Sequence, residues 1–224
     1  GMFIDVAAGS REEAEAMGLG PGDPAVPEVA PLLLHEGACL MGKALDDRVG
    51  ALAVIEAARR LRAGGHPNTV LAAGTVQEEV GARGARTAAS MLRPEICLVV
   101  EGTPADDSPG FARDASQGAL GRGPQIRLFD PSMIGHRPLI DLVRRTAEEE
   151  GLPYQMAVRE GGGTDGGPIH VSDAGVPAMV IGIPVRYAHS QIGLCSLADL
   201  ENAVALLTAV VRRLDSITAS GLLA

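Results

Sequence analysis

Tryptophan is absent from this chain, and only three Phe and two Tyr are present. Any core must therefore be packed from Leu, Val, Ile and Ala, which the 46% hydrophobic content supplies in quantity. Cysteine is also scarce. Cys39, Cys97 and Cys195 are odd in number, widely spaced and form no Cys-x-x-Cys pair. That pattern excludes a disulfide framework and a zinc knuckle, and it points to a reducing cytoplasm. Basic residues are outnumbered, with 19 Lys and Arg against 28 Asp and Glu, for a net charge of −9. Phosphate contacts need clustered cations, so this balance argues against nucleic acid and against anionic membrane surfaces as partners. No apolar run reaches membrane-spanning length, and no signal peptide precedes the first element. Gly1 ahead of Met2 reads as a residue left by a cleaved tag, with Met2 as the native start.

What is present suits one α/β domain with a small appendage, given 224 residues. Residues 2–40 read as short β elements, opening with Phe3-Ile4-Asp5-Val6, around one helix at 11–17 that Ser10 and Glu13 open as a capping box. From Met41 the pattern alternates. Helices are predicted over 47–61, 83–91, 138–150, 165–174 and from Ser196 to about 214; strands over 69–76, 96–100, 125–129, 154–158 and 178–183. Such alternation predicts a mostly parallel sheet covered by helices on both faces, an α/β three-layer sandwich.

Several groups able to bind a metal fall where such sheets place their sites, beyond the carboxyl ends of strands. Asp46 lies just before a helix. Glu78 and Glu79 follow the strand ending at Val76, Glu101 follows the strand ending at Val100, and His189 follows the strand near Ile183. Each alone has a plain structural reading. Asp46-Asp47 could be a helix N-terminus, Glu78-Glu79 a solvated loop, and His189 a hydrogen-bonded imidazole. Thr164-Asp165 reads first as an N-cap, and His136 as serving the start of the next helix. The shared location is the stronger signal. In a loop, one of two adjacent carboxylates can ligate a metal while the other takes a proton, a division that suits hydrolysis.

The segments Gly42-Lys43-Ala44-Leu45-Asp46-Asp47-Arg48-Val49-Gly50, Thr75-Val76-Gln77-Glu78-Glu79-Val80-Gly81 and Glu101-Gly102-Thr103 with Asp107-Ser108-Pro109-Gly110 occur in order, followed by Gly163-Thr164-Asp165 and Val185-Arg186-Tyr187-Ala188-His189-Ser190. Together they resemble the M42 family of metallo-aminopeptidases, across nearly the whole chain. The resemblance implies a zinc-peptidase-like catalytic domain at 41–224 and, at 1–40, part of a β-rich dimerisation domain. It implies that Asp46 bridges two metals, that Glu79 and His189 complete one site, and that Glu101 binds the other metal. Glu78 would be the general base, and Gly163, Thr164 and Asp165 would face substrate. The implied cofactor is zinc or cobalt, up to two per chain. The implied partners are a peptide substrate and further copies of the chain.

The family's His-x-Asp motif, which precedes its dimerisation domain, has no counterpart here, and Gly193 stands where the family often has an acid. Catalytic zinc usually keeps three protein ligands. The set Asp46, Glu79 and His189 has three, whereas Asp46 with Glu101 has two. One retained metal site, one weak site and impaired peptidase activity are therefore expected. The alternative is a non-catalytic paralogue acting as a subunit or binding module. A glycosidase could use the paired carboxylates, but that chemistry leaves His189 without a role.

Overall fold

The computed structural model describes residues 3–111 and 117–223. Gly1 and Met2, on which the reading of the native start rests, lie outside the described residues. The chain forms α1 (Arg11–Ala16), β1 (Leu32–Leu34), β2 (Cys39–Gly42), α2 (Leu45–Gly64), α3 (Arg83–Leu92), β3 (Cys97–Pro104) and β4 (Gln125–Asp130). Then follow β5 (Met133–Ile134), α4 (Arg137–Glu149), β6 (Gln155–Val158), α5 (Gly166–His170), β7 (Ala178–Arg186), β8 (Gly193–Ser196), α6 (Leu197–Arg213) and α7 (Ser216–Leu223).

The strands form one sheet in the order β1-β2-β8-β7-β4-β5, with β3 paired to β7 and β6 to β4. The expected α/β class holds, but the sheet is mixed rather than mostly parallel. Among the described residues, only β3 with β7 and β4 with β6 run parallel. The links at 131–132 and 187–192 are too short for a parallel crossover, so β5 and β8 return antiparallel. A domain boundary at residue 40 would fall inside β2, which pairs with β8.

Strand β7 organises the three layers. Successive side chains on a strand face opposite ways. Met179, Ile181, Ile183 and Val185 join the large cluster formed with α2, α4 and α6. Ala178 and Val180 face the other side, with Val99 and Met133. Beside them Ala85 and Ala89 of α3 pack with Ile169 of α5.

Two predicted strands do not form. Residues 3–6 lie exposed, with Phe3 87% and Ile4 69% accessible, and no strand among the described residues pairs with them. Residues 69–76 were expected as a buried strand. Val70 packs on the large cluster, but Leu71 and Val76 are exposed. Among the described residues, no backbone group of Thr69–Thr75 has a hydrogen-bonded partner. Local composition marks a segment suited to a strand, but a ladder also needs a neighbour. The helix expected over 165–174 is confined to α5, and Asp173 beyond it lies in the left-handed region (φ 51°).

Candidate metal centre

Three separate segments deliver the candidate ligands. Asp46 occupies the first turn of α2 with non-helical angles (φ −90°, ψ 103°), and the Asp46–Asp47 peptide is cis. Close approach of α2 to β3 fixes this position. A Cβ on Gly50 would sit 2.5 Å from the Val100 carbonyl oxygen, and one on Gly102 would sit 3.0 Å from Asp46 Cα. Asp47 ties the two elements together by accepting the Gly50 and Gly102 N–H groups, each at 2.8 Å. Glu78 and Glu79 lie in the turn before α3, where the Glu78 carbonyl accepts from Gly81 (3.0 Å) and Ala82 (2.8 Å). His189 lies in the loop joining β7 to β8, pinned by Ser190 Oγ, which donates to the carbonyls of Tyr187 (2.7 Å) and Ile192 (2.9 Å). Ala44, Gln77, Tyr187 and His189 all have φ between 51° and 60°. A non-glycine residue there costs roughly 1–3 kcal/mol, so the fold sustains strain beside each ligand.

The structure brings three of the predicted ligands together. His189 Nε2 lies 3.1 Å from Asp46 Oδ2 and 3.2 Å from Glu79 Oε2. One ligand atom from each of the three falls within 4.8 Å of the others. Ligands about 2.0–2.1 Å from a tetrahedral zinc lie about 3.3 Å from one another. Two carboxylates and an imidazole at this spacing therefore fit one divalent cation. The His189 and Glu79 side chains are largely exposed and that of Asp46 is not, so the set opens to solvent on one side.

The surrounding acids raise the free energy of leaving the centre without a cation. Burial, followed by the charge of Glu79, holds the Asp46 carboxyl above its ordinary range, and His189 opposes this. Burial pushes Asp47 up to about 7 despite its two backbone hydrogen bonds. Glu78 is raised by burial and then by the charges of Asp165, Glu79 and Asp46.

Glu101 and Glu78 border this group without joining it. Glu101 lies within β3 rather than beyond its end, with 13% of its side chain accessible, and burial pushes its carboxyl well up. Arg127 Nη2 donates to Glu101 Oε1 at 2.7 Å. The Gly163-Thr164-Asp165 loop lies alongside, and Asp165 accepts a hydrogen bond from Thr75 Oγ1. Asp165 does not cap α5 through its side chain; Thr164 Oγ1 instead accepts the Gly166 N–H at 3.0 Å. His136 precedes α4, but its ring forms no cap, and its Nδ1 is buried without a partner among the described residues.

Sequence reasoning missed Arg127, Thr75 and a clamp between Asp107 and Arg186. Arg186 Nε and Nη2 donate to the two Asp107 oxygens, both at 2.6 Å, and fix the end of β7 just before the His189 loop. Thr75, Asp107 and Arg186 stood inside the quoted motif segments without a part assigned to them, and Arg127 was visible as a lone cation in the apolar run Ile126-Arg127-Leu128.

The family model described as M42 glutamyl aminopeptidase matches residues 1–206. The chain belongs to the M42 glutamyl aminopeptidase family. It is similar to the TET aminopeptidase of Thaumarchaeota archaeon SCGC AB-539-E09, with a TM-score of 0.94 and 44% identity over 97% of this chain and 61% of that one. The lysyl aminopeptidase of Pyrococcus furiosus is 34% identical over 95% of this chain and 60% of its own length. The glutamyl aminopeptidase of Lactococcus lactis is 32% identical over 96% of this chain and 59% of its own. The chain thus spans about three-fifths of the length of each relative.

Proposed function

We propose that this M42 chain is a metal-dependent aminopeptidase homologue whose centre is Asp46, Glu79 and His189. The observation carrying the reading is the convergence of their ligand atoms within 4.8 Å from three separate segments. A bound divalent cation, zinc or cobalt, supplies Lewis acidity that makes water more acidic. Glu78 is the general base. Its partial burial among other carboxylates raises its affinity for a proton, which suits taking one from attacking water. Gly163, Thr164 and Asp165 line the side where a peptide would lie, and Glu101 stands outside the three-ligand group, paired with Arg127. The segment ahead of β2 contributes to a dimerisation surface, and the catalytic domain, bounded at about residue 40 from the sequence, takes in the whole of β2. A cytoplasmic homo-oligomer is the setting proposed; oligomerisation, though not the compartment, is supported by the Pyrococcus horikoshii TET1 peptidase, which can assemble into a tetrahedron or a large octahedral shell. A non-catalytic subunit is the second reading. It is favoured by the fact that one three-ligand set, and no second, is found among the described residues.

The test is calorimetric titration of metal-free protein with Zn²⁺, followed by assay on aminoacyl-p-nitroanilides with Zn²⁺ or Co²⁺. We expect one tight equivalent, lost in His189→Ala, and turnover well below that of a full-length M42 enzyme. Failure to bind Zn²⁺, or unchanged binding by His189→Ala, would sink the metal assignment. Turnover equal to a full-length enzyme would refute the impaired site.

A further inference from the structure

We infer that the centre holds a single divalent ion and that the buried Arg127 guanidinium is its fixed second cation, which takes up Glu101 where the family resemblance implies a second metal. The inference rests on the metal-binding reading above and goes beyond it. Glu101 does not fit a metal. It lies outside the one three-ligand group found among the described residues. Its Oε1 accepts from Arg127 Nη2 at 2.7 Å, and the two side chains are only 13% and 6% accessible. A guanidinium is not deprotonated in proteins. A metal drawn to Glu101 would therefore meet a positive charge that cannot be discharged. It would also strip a buried arginine of its nearest carboxylate, and breaking a buried pair is strongly destabilising.

The guanidinium is fixed in place. Nη2 also donates to Thr103 Oγ1 at 2.7 Å, and Nη1 donates to Asp130 Oδ2 at 3.2 Å. Thr103 and Asp130 are fully buried. The other Asp130 oxygen accepts the Ser132 N–H at 2.8 Å, so the acceptor is itself anchored. β4 thus plants a charge against β3, beside the place where Gly102 lets Asp46 come close. That charge reaches the centre. Burial raises the Asp46 carboxyl most, and His189 and Arg127 both oppose the rise. Burial likewise dominates at Glu101, where Arg127 opposes it while Asp46, Asp47 and Glu78 add to it. One divalent ion offsets part of this crowd of carboxylates, and the guanidinium offsets Glu101. Stability alone gives a poor account of the arginine. Its Nε is a buried donor with no partner among the described residues, and such an orphan carries a desolvation cost.

The experiment titrates the metal-free chain with Zn²⁺ by calorimetry and records the visible spectrum of the Co²⁺ form. The unaltered chain should take up one equivalent and show no second event at millimolar metal. Arg127→Met removes a positive charge beside the three ligands and should tighten the one event by roughly tenfold, as a charge several ångströms away does at a partly screened site. Glu101→Gln removes the opposite charge and should weaken it by a similar factor, with the stoichiometry still one and the Co²⁺ bands unmoved, because the ligand set is the same. The double variant Arg127→Met/Glu101→Gln should return to the affinity of the unaltered chain. An arginine with a merely structural role would instead loosen binding when replaced, and Glu101→Gln would not reverse that. A second event in the unaltered chain overturns the inference. So do looser binding in Arg127→Met, a double variant that stays weak, and shifted Co²⁺ bands in Glu101→Gln, which would make Glu101 a ligand. If Arg127→Met does not fold, the stoichiometry and the Glu101→Gln spectrum still decide. Absence of any tight event in the unaltered chain is the separate outcome that defeats the metal-binding reading.

Discussion

Asp47 is not one of the three clustered ligands, yet the fold disfavours its charge and raises its carboxyl to about 7. Its carboxyl shifts from 3.8 upward because burial outweighs the two backbone N–H groups it accepts. The folded state therefore keeps its proton at a pH where the unfolded chain has lost it. The associated stability is complete below about pH 4 and is lost as pH rises toward about 7. Asp46, Glu78, Glu101 and Asp165 are raised too, with burial as the largest cause for each, so the effects add in sign. Thermal melts of metal-free protein should fall progressively between about pH 5 and 7, Asp47→Asn should flatten the trend, and saturating Zn²⁺ should reverse it. A melting temperature that climbs with pH over this interval would contradict the electrostatic account.

Among the elements, the segment at 69–75 and the clamp at the end of β7 make opposite predictions. Thr69–Thr75 has no backbone partners among the described residues, so its amides should exchange with deuterium almost as fast as in an unfolded peptide, while those of β7 stay protected. Slow exchange at 69–75 would mean that a neighbour covers it in solution. The Asp107–Arg186 pair is partly buried, with 17% and 30% of the side chains accessible. Arg186 holds the Asp107 carboxyl below its usual range. Asp107→Asn should lower stability by about 1–2 kcal/mol in urea melts, after discounting for solvent screening. It should also weaken Zn²⁺ binding by loosening the His189 loop. An unchanged Zn²⁺ affinity would confine the clamp to stability. These two elements mark where legibility in the sequence ends. The cap pairs Ser10 with Glu13 and Ser196 with Asp199, and the Gly151 stop, placed helix ends well because capping is decided within a few residues. The convergence of Asp46, Glu79 and His189 was readable from motif order. The engagement of Glu101 by Arg127 was not, since it depends on how β3 and β4 lie across β7 between them. Residues 69–76 were misread because alternation and apolarity report on the segment, and pairing reports on its surroundings.

For the molecule as a whole, edge strand β1 leaves Leu32 and Leu33 exposed, and Phe3 and Ile4 are exposed as well, apolar surface that the proposed second copy would cover. Light scattering after size exclusion should give a mass above the 23.0 kDa of one chain. A strictly monomeric profile at high concentration would remove the proposed dimerisation surface. The scarcity of aromatics has a practical use. With no indole to dominate emission, fluorescence comes from two phenols, Tyr154 and Tyr187. Tyr154 is held through its hydroxyl against Glu148 on α4, whereas Tyr187 stands two positions before the imidazole of the centre in a strained loop. A paramagnetic ion such as Co²⁺ seated on that imidazole would dim one phenol and spare the other, so the chain carries its own optical gauge of occupancy.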